Sequence, residues 1–307
     1  HARLVRNMLA GAGGVDVALL AVAADEGVMA QTMEHLEILS LLGVRRGVVA
    51  LTKADRVDGA RLAAAARDVE AHLAGTFLEG APILPVSAVS GDGMAAQQAA
   101  LEEVIASAPS RPADGPARLP VDRVFSLRDG GTVVTGTLTE GTLRTGQWVM
   151  LYPQRKLAQI RELQNHEVSR PQVEAGMRVA IHLSGVERQD LTRGCVVAWP
   201  ESVQLTRRMA VRLDLTPDTL FEVRNASRLH FYLGTQERIC RVRLLDANLL
   251  QRGMSGYAEL TFEEDLAVRG LDRFVVRFFS PVTTVGGGVV LDGAAPRLKR
   301  NDLRLLN

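Results

Sequence analysis

Gly47-Val48-Val49-Ala50-Leu51-Thr52-Lys53-Ala54-Asp55 joins a short apolar run to a Lys-x-Asp triplet. A β-branched run that ends at once in a polar turn reads as a strand buried on both faces of a parallel sheet. The triplet then falls at the strand's C-terminal end, where open α/β sheets bind ligands. An aspartate there accepts two hydrogens from the N1 and N2 of guanine, a charge-assisted pair that adenine cannot supply. By itself the triplet is more often a solvated turn.

The elements on either side repeat the pattern. Val15 to Ala23 (VDVALLAVA) reads as a strand buried on both faces, and Gln31 to Leu42 as a helix stopped by Gly43. Arg61 to Leu73 reads as a second helix, Ile83 to Val86 as a third strand ending in Ser87-Ala88, and Met94 to Ser107 as a third helix. Alternating strands and helices predict a doubly wound α/β domain over residues 1–107. Residues 108–118 (APSRPADGPAR) are rich in Pro, Gly and Ala without periodicity and read as a linker. Short β-branched runs follow, including Thr132 to Leu138, Trp148 to Leu151, Arg178 to Leu183 and Cys195 to Trp199, and predict a β-barrel over 119–200. A second series, from Met209 to Leu215 through Thr283 to Leu291, predicts another barrel over 201–293. Residues 294–307 hold the basic Arg297-Leu298-Lys299-Arg300. The chain opens on His1 rather than Met and reads as starting within a domain.

Composition narrows the function classes. The 307 residues carry a net charge of +1, so a nucleic-acid partner must be met by a local basic surface. Aromatics are 4% of the chain, which argues against base stacking on single strands and for recognition led by shape and phosphate. Cys195 and Cys240 are too far apart in sequence for a disulfide framework or a zinc pattern and suit a reducing cytosol. His166, His182 and His230 have no partners at metal-ligand spacing. The sequence has no apolar run long enough for a membrane helix and no signal peptide.

Taken in order, His1, Ala24-Asp25-Glu26-Gly27, Gln31-Thr32-Met33-Glu34-His35, Thr52-Lys53-Ala54-Asp55 and Ser87-Ala88 resemble the second half of the GTPase domain of the elongation factor Tu superfamily. Phe125 with Gly131-Thr132-Val133-Val134-Thr135-Gly136 is similar to the opening of its second domain. The resemblance implies a partial P-loop GTPase domain followed by two β-barrels. His1 would orient the attacking water on GTP, Thr52, Lys53 and Asp55 would hold guanine, and the backbone at Ser87 and Ala88 would reach its O6. Two departures stand out. Thr52 replaces the usual Asn, and no Gly-x-x-x-x-Gly-Lys-Ser/Thr loop is present to cradle phosphates and hold Mg²⁺. The expectation is a chain cut off before that loop, unable to bind GTP/GDP tightly or hydrolyse GTP alone, with the Mg²⁺ ligands upstream.

Within the superfamily, Arg228 to Glu237 (RLHFYLGTQE) and Ser280 to Gly288 (SPVTTVGGG) resemble the third domain of the selenocysteine-specific elongation factors. A selenol is anionic at neutral pH, so a factor that selects it needs cations in its aminoacyl pocket. The family pocket maps onto Asp122, Arg123, Phe125 and Arg178, with Arg123 and Arg178 as the guanidinium pair. Arg224, Arg228, Arg238, Arg241 and Arg243 are candidates for the tRNA backbone, or else a solvated barrel face. The implied partners are selenocysteyl-tRNA and the ribosome, with an mRNA hairpin reached through winged-helix modules beyond residue 307; a cytoplasmic monomer is expected. Alternatives are another elongation factor Tu-like tRNA carrier, an initiation-factor subunit, the GTPase subunit of sulfate activation, or a scaffold protein with a degenerate GTPase domain.

Overall fold

The computed structural model of the chain describes residues 2–126 and 131–300. It resolves into two units, residues 15–109 and the barrel unit of 2–14 with 110 onward.

In the first unit, β1 (Ala18–Ala23), β2 (Gly47–Thr52) and β3 (Ile83–Pro85) run parallel in that order. Central β2 is buried along its apolar length, as a strand paired on both sides should be. β1 departs from the expected strand: it starts at Ala18, and Leu19 is half exposed, because β1 forms the sheet edge among the described residues. Helices α2 (Ala30–Leu41), α3 (Gly59–Leu73) and α4 (Met94–Ser107) fill the intervals. α3 begins two residues before the expected Arg61 because the Asp58 side chain accepts from the Arg61 amide at 2.7 Å, an N-cap. Val22, Leu36, Val49, Leu51, Val69 and Leu73 form the core, and each fully buried large aliphatic contributes about 2 kcal/mol.

The second unit opens with the helix α1 (Ala2–Ala12), which the sequence reading had placed in the α/β domain. Val5, Leu9 and Ala12 recur about once per turn and are buried. The exit is fixed within the barrel unit, since Arg111 donates to the Gly13 carbonyl at 3.3 Å and Gly14 lies against Thr137.

The first barrel is a ring of β4 (Arg118–Ser126), β5 (Thr132–Thr137), β6 (Trp148–Tyr152), β7 (Lys156–Asn165), β8 (Arg178–Ser184) and β9 (Val196–Ala198), in the order β8-β5-β4-β9-β6-β7 and closed by β7 on β8. Along β5, Thr132, Val134 and Gly136 face in while Val133, Thr135 and Thr137 face out. A Cβ on Gly136 would sit 2.2 Å from the Pro120 carbonyl oxygen, so close packing of β4 demands glycine here.

The second barrel closes β10 (Gln204–Leu215), β11 (Arg228–Leu233), β12 (Gln236–Leu244), β13 (Ser255–Val268), β14 (Arg273–Phe278) and β15 (Thr284–Asp292) in the order β10-β13-β12-β11-β14-β15. Phe231 anchors its core against Phe262 and Phe274, with centroids 5.0 and 4.9 Å away. The Gly286-Gly287-Gly288 run lies inside β15, where a Cβ on Gly288 would meet the Arg212 carbonyl oxygen at 1.9 Å. These glycines bring β15 onto β10.

Two ion-pair systems join the barrels. Arg118, which the sequence placed at the end of the linker, opens β4, is 4% exposed and grips Asp272 through both terminal nitrogens at 2.5 and 2.8 Å. Arg269 binds Glu140 and donates to the Ser202 carbonyl at 2.8 Å. Cys195 and Cys240 are buried free thiols, and burial pushes Cys240 up to about 12. Of the basic C-terminal stretch, Ala295 and Leu298 are buried against Ala210 and Leu245.

Candidate functional site

At the C-terminal end of β2, Lys53 adopts a left-handed conformation (φ 57°) and caps a single 3₁₀ turn, Ala54–Arg56. This bend stacks the Lys-x-Asp loop beside the Ser-Ala loop. Val86 donates to the Leu51 carbonyl at 2.9 Å and Ala54 to the Val86 carbonyl at 3.2 Å. Thr52, standing where the family has Asn, donates its hydroxyl to the Val22 carbonyl at 3.2 Å and ties the loop to the end of β1. Asp55 is exposed, and no partner for its carboxylate occurs among the described residues.

Ser87 and Ala88 lie beyond β3, in a turn rather than at the strand's end as expected. Ser87 is buried, and its hydroxyl oxygen accepts from the amides of Val89 and Ser90 at 3.2 Å each. Its role is therefore to hold the turn, while Ala88 is exposed with its N–H unused by the described residues. An open carboxylate and an open amide on adjoining loops fit the edge of a guanine base.

Two residues here were not assigned from sequence. The Lys53 ammonium lies 2.5 Å from Glu26 and 3.4 Å from Asp25, and Asp25 also meets Arg56 at 3.1 Å. The Glu26 hydrogen bond chiefly, then Asp25, holds Lys53 above the usual lysine range against some desolvation. The acid pair pins the lysine stem across the loop mouth. Its signal was the Asp25-Glu26 doublet ending the first strand. His1 lies outside the described residues.

The second group of expected residues lies on the outer face of the first barrel. A bulge between Val121 and Arg123 breaks the β4–β5 register. Arg123 then pairs across from Thr135 and Phe125 from Val133, while Arg178 on β8 pairs across from Thr137. Arg178 donates to Asp122 at 2.6 Å, and the other Asp122 oxygen accepts from the Thr135 hydroxyl at 2.6 Å. The structure thus joins Asp122 to Arg178 across 56 residues of sequence and puts Arg123 and Phe125 on the same face.

Beside them a cavity of about 320 Å³ is lined by Phe125, Val133, Glu162, Gln164, Ala180 and His182. Glu162 accepts from Gln164 at 2.9 Å and from the Ser169 hydroxyl. Those bonds, Gln164 first, hold its carboxyl below the usual glutamate range, with His182 adding to the effect. Glu162 and Gln164 were not singled out in the sequence, where alternating polar residues on a strand read as a solvated face.

The five second-barrel arginines singled out from the sequence separate into two kinds. Arg224 pairs with Glu222 at 2.6 Å and Arg238 with Glu264 at 3.0 Å. Arg243 binds Glu259 at 2.9 Å and the Leu298 carbonyl at 2.7 Å. Arg228 and Arg241 are exposed and directly opposite one another across β11 and β12.

Residues 1–110 match the elongation factor Tu GTP binding domain, 131–198 match elongation factor Tu domain 2, and 206–297 match the beta-barrel domain of selenocysteine-specific elongation factor. The selenocysteine-specific elongation factor of Desulfomicrobium baculatum is 40% identical over 98% of this chain, which covers 48% of that protein. Elongation factor Tu 2 of Streptomyces avermitilis is 32% identical over 94% of this chain and 77% of its own length. A crystal structure of a bacterial selenocysteine-specific elongation factor superposes with a TM-score of 0.90 at 27% identity, over 100% of this chain and 51% of that one. The chain spans about half the length of the selenocysteine-specific relatives it matches. By sequence and by fold, the chain belongs to the elongation factor Tu family of translation factors, on its selenocysteine-specific branch.

Proposed function

We propose that the chain is the nucleotide- and aminoacyl-binding portion of a factor that carries selenocysteyl-tRNA to the ribosome. The observation that carries this reading is that two guanidinium groups share one barrel face, Arg178 fixed by Asp122 and Arg123 on the far side of β5, with the Phe125 cavity on the same face. A selenolate brings full negative charge to that face, whereas a seryl group brings none. Holding Arg178 on Asp122 in advance lowers the ordering cost of binding. Arg123 supplies the second cation, Phe125 and Val133 the apolar wall, and Glu162 a fixed acceptor for a hydroxyl.

In the same reading Asp55 accepts from guanine, Lys53 lies along the base, Thr52 braces the loop, and the turn built by Ser87 presents the Ala88 amide. His1 orients the water for hydrolysis of GTP once the ribosome positions it. The sequence contains no phosphate-loop motif, so Mg²⁺ and the phosphates are assigned to none of these residues. Arg224, Arg228, Arg238, Arg241 and Arg243 are the pool from which tRNA-backbone contacts are drawn. The reading places the protein in the cytoplasm as a monomer. No helix among the described residues is long and apolar enough to cross a membrane.

The test is protection of the aminoacyl ester from hydrolysis, with a non-hydrolysable GTP analogue present, comparing selenocysteyl- and seryl-tRNA on one tRNA body. Selective protection of the first is expected. Arg178→Ala should weaken that protection about tenfold or more while costing under about 1 kcal/mol of stability, since Arg178 is half exposed. Equal protection of both esters by the unmodified chain would overturn the assignment.

A further inference from the structure

Residues 293–300 leave β15 and cross the outer face of the second barrel. The face they cover is a cross-strand row: Arg243 on β12 lies opposite Glu259 on β13, Glu259 opposite Ala210 on β10, and Ala210 opposite Asp292 on β15. Outward positions of a barrel are ordinarily solvated. Here Glu259 is 3% exposed and Ala210 is fully buried, because Ala295 and Leu298 pack with Ala210, Leu245 and Tyr257.

The root of this strap is fixed. A Cβ on Gly293 would lie 2.5 Å from Val268 Cγ2 and 2.7 Å from the Gln204 side-chain oxygen, and Ala294 donates its amide to Asp292 at 2.8 Å. The far end is held at one residue by two charged groups. Leu298 donates its N–H to Glu259 at 3.2 Å, and its carbonyl accepts from Arg243 at 2.7 Å. Arg243 in turn reaches both Glu259 oxygens, at 3.1 and 2.9 Å. The strap forms no helix or strand, so no backbone ladder reinforces the clamp.

Opening the clamp does not leave the buried acid stranded. The Arg208 Nε lies 3.7 Å from Glu259, beyond hydrogen-bond reach, and is itself buried with no acceptor among the described residues. A shift of about 0.8 Å brings it to ordinary hydrogen-bond distance. When Leu298 lifts off, its N–H and C=O pass to water. Glu259 then exchanges the Leu298 amide for Arg208 and keeps Arg243. An unpaired buried carboxylate is costly, and the spare cation removes that cost from the open state.

We infer that residues 293–300 are a two-state strap. Closed, they fix the point at which the chain leaves the barrel. Open, they pivot at Gly293 and become a tether of about 28 Å at full extension, with Arg208 in the place of Leu298 on Glu259. The device sets the reach of the residues that follow 300, and it rests on neither the nucleotide nor the aminoacyl reading.

The Arg297–Leu298 bond is a trypsin site whose own N–H is the latched group, so its cleavage reads the open population. The experiment follows cleavage at this bond by mass spectrometry in the native chain, with urea unfolding of each variant in parallel. Leu298→Ala should raise the rate at least about tenfold. Arg208→Met should slow it about threefold, and Arg208→Lys should restore it. Arg207→Met, which removes a neighbouring charge paired with Asp265, should leave the rate unchanged. Urea below the unfolding transition should alter the rate little, as for a local opening. A strap that is only a fixed part of the barrel predicts the reverse at Arg208, faster cleavage through a weakened fold. Arg208→Met cleaved as fast as the unmodified chain or faster, or a rate that climbs with urea as steeply as global unfolding, would each overturn the proposal.

Discussion

The loop site and the barrel face present functional groups in opposite ways. At the end of β2 and β3 the groups are near neighbours in sequence, oriented by a left-handed Lys53 and a few backbone hydrogen bonds. On the first barrel they come from four strands and stand at fixed intervals set by sheet register. A loop site is held locally and is changed by local damage. A barrel site inherits its geometry from the whole closed sheet, so it fails when the ring or its partner barrel is disturbed.

The largest effect that would sharpen this contrast is at Arg118. Its buried, two-point grip on Asp272 joins the barrels, and Arg118→Ala leaves a largely buried carboxylate with no cation and only the Arg269 amide as donor. A loss of about 3 kcal/mol is expected in urea unfolding, spread over both barrels. A loss under about 1 kcal/mol would mean the ring does not depend on that junction.

Gly93 probes the loop side. At φ 74° its Cβ would lie 2.0 Å from the Pro85 carbonyl oxygen, so Gly93→Ala must displace the turn that holds Ser87. A cost of about 2 kcal/mol is expected. Amide exchange should rise in β3 and α4 and stay unchanged in the barrels. Faster exchange in the barrels would show that the turn is not held locally.

The smallest effect concerns Glu162. Its carboxyl is held below the usual glutamate range in the folded chain, chiefly by Gln164 and then Ser169. The folded state therefore keeps Glu162 ionised where the unfolded chain protonates it. The stabilisation is present above the unfolded value and is lost as pH falls through the lowered folded value. Glu162→Gln should flatten a shallow fall in melting temperature below about pH 4.5. An unaltered acid limb would show that these bonds do not favour the charged form.

The sequence alone was enough for the fold class and for the loop motif. Thr52-Lys53-Ala54-Asp55 follows an apolar run, and strand–helix alternation needs no long-range information. The Thr-Val-Gly-Gly-Gly run was legible as a marker, though its reason was not: the glycines sit within a strand, pressed on the Arg212 and Asp214 carbonyls. Ser87 was found, but its hydroxyl braces the turn from inside, which depends on where β3 stops.

Tertiary structure decided the rest. Register and the Val121–Arg123 bulge brought Asp122 to Arg178, and strand pairing set Arg228 against Arg241. The same chain of contacts assigned Ala2–Ala12 to the barrel unit and gave Arg243 to Glu259 instead of solvent. Alternation along one strand says which residues share a face, but not which strand lies beside it or at what offset. Cross-strand neighbours are fixed by closure of the whole barrel, where a one-residue slip would turn every core side chain outward. Local sequence therefore determined the kinds of groups this protein carries, and ring closure determined which of them meet.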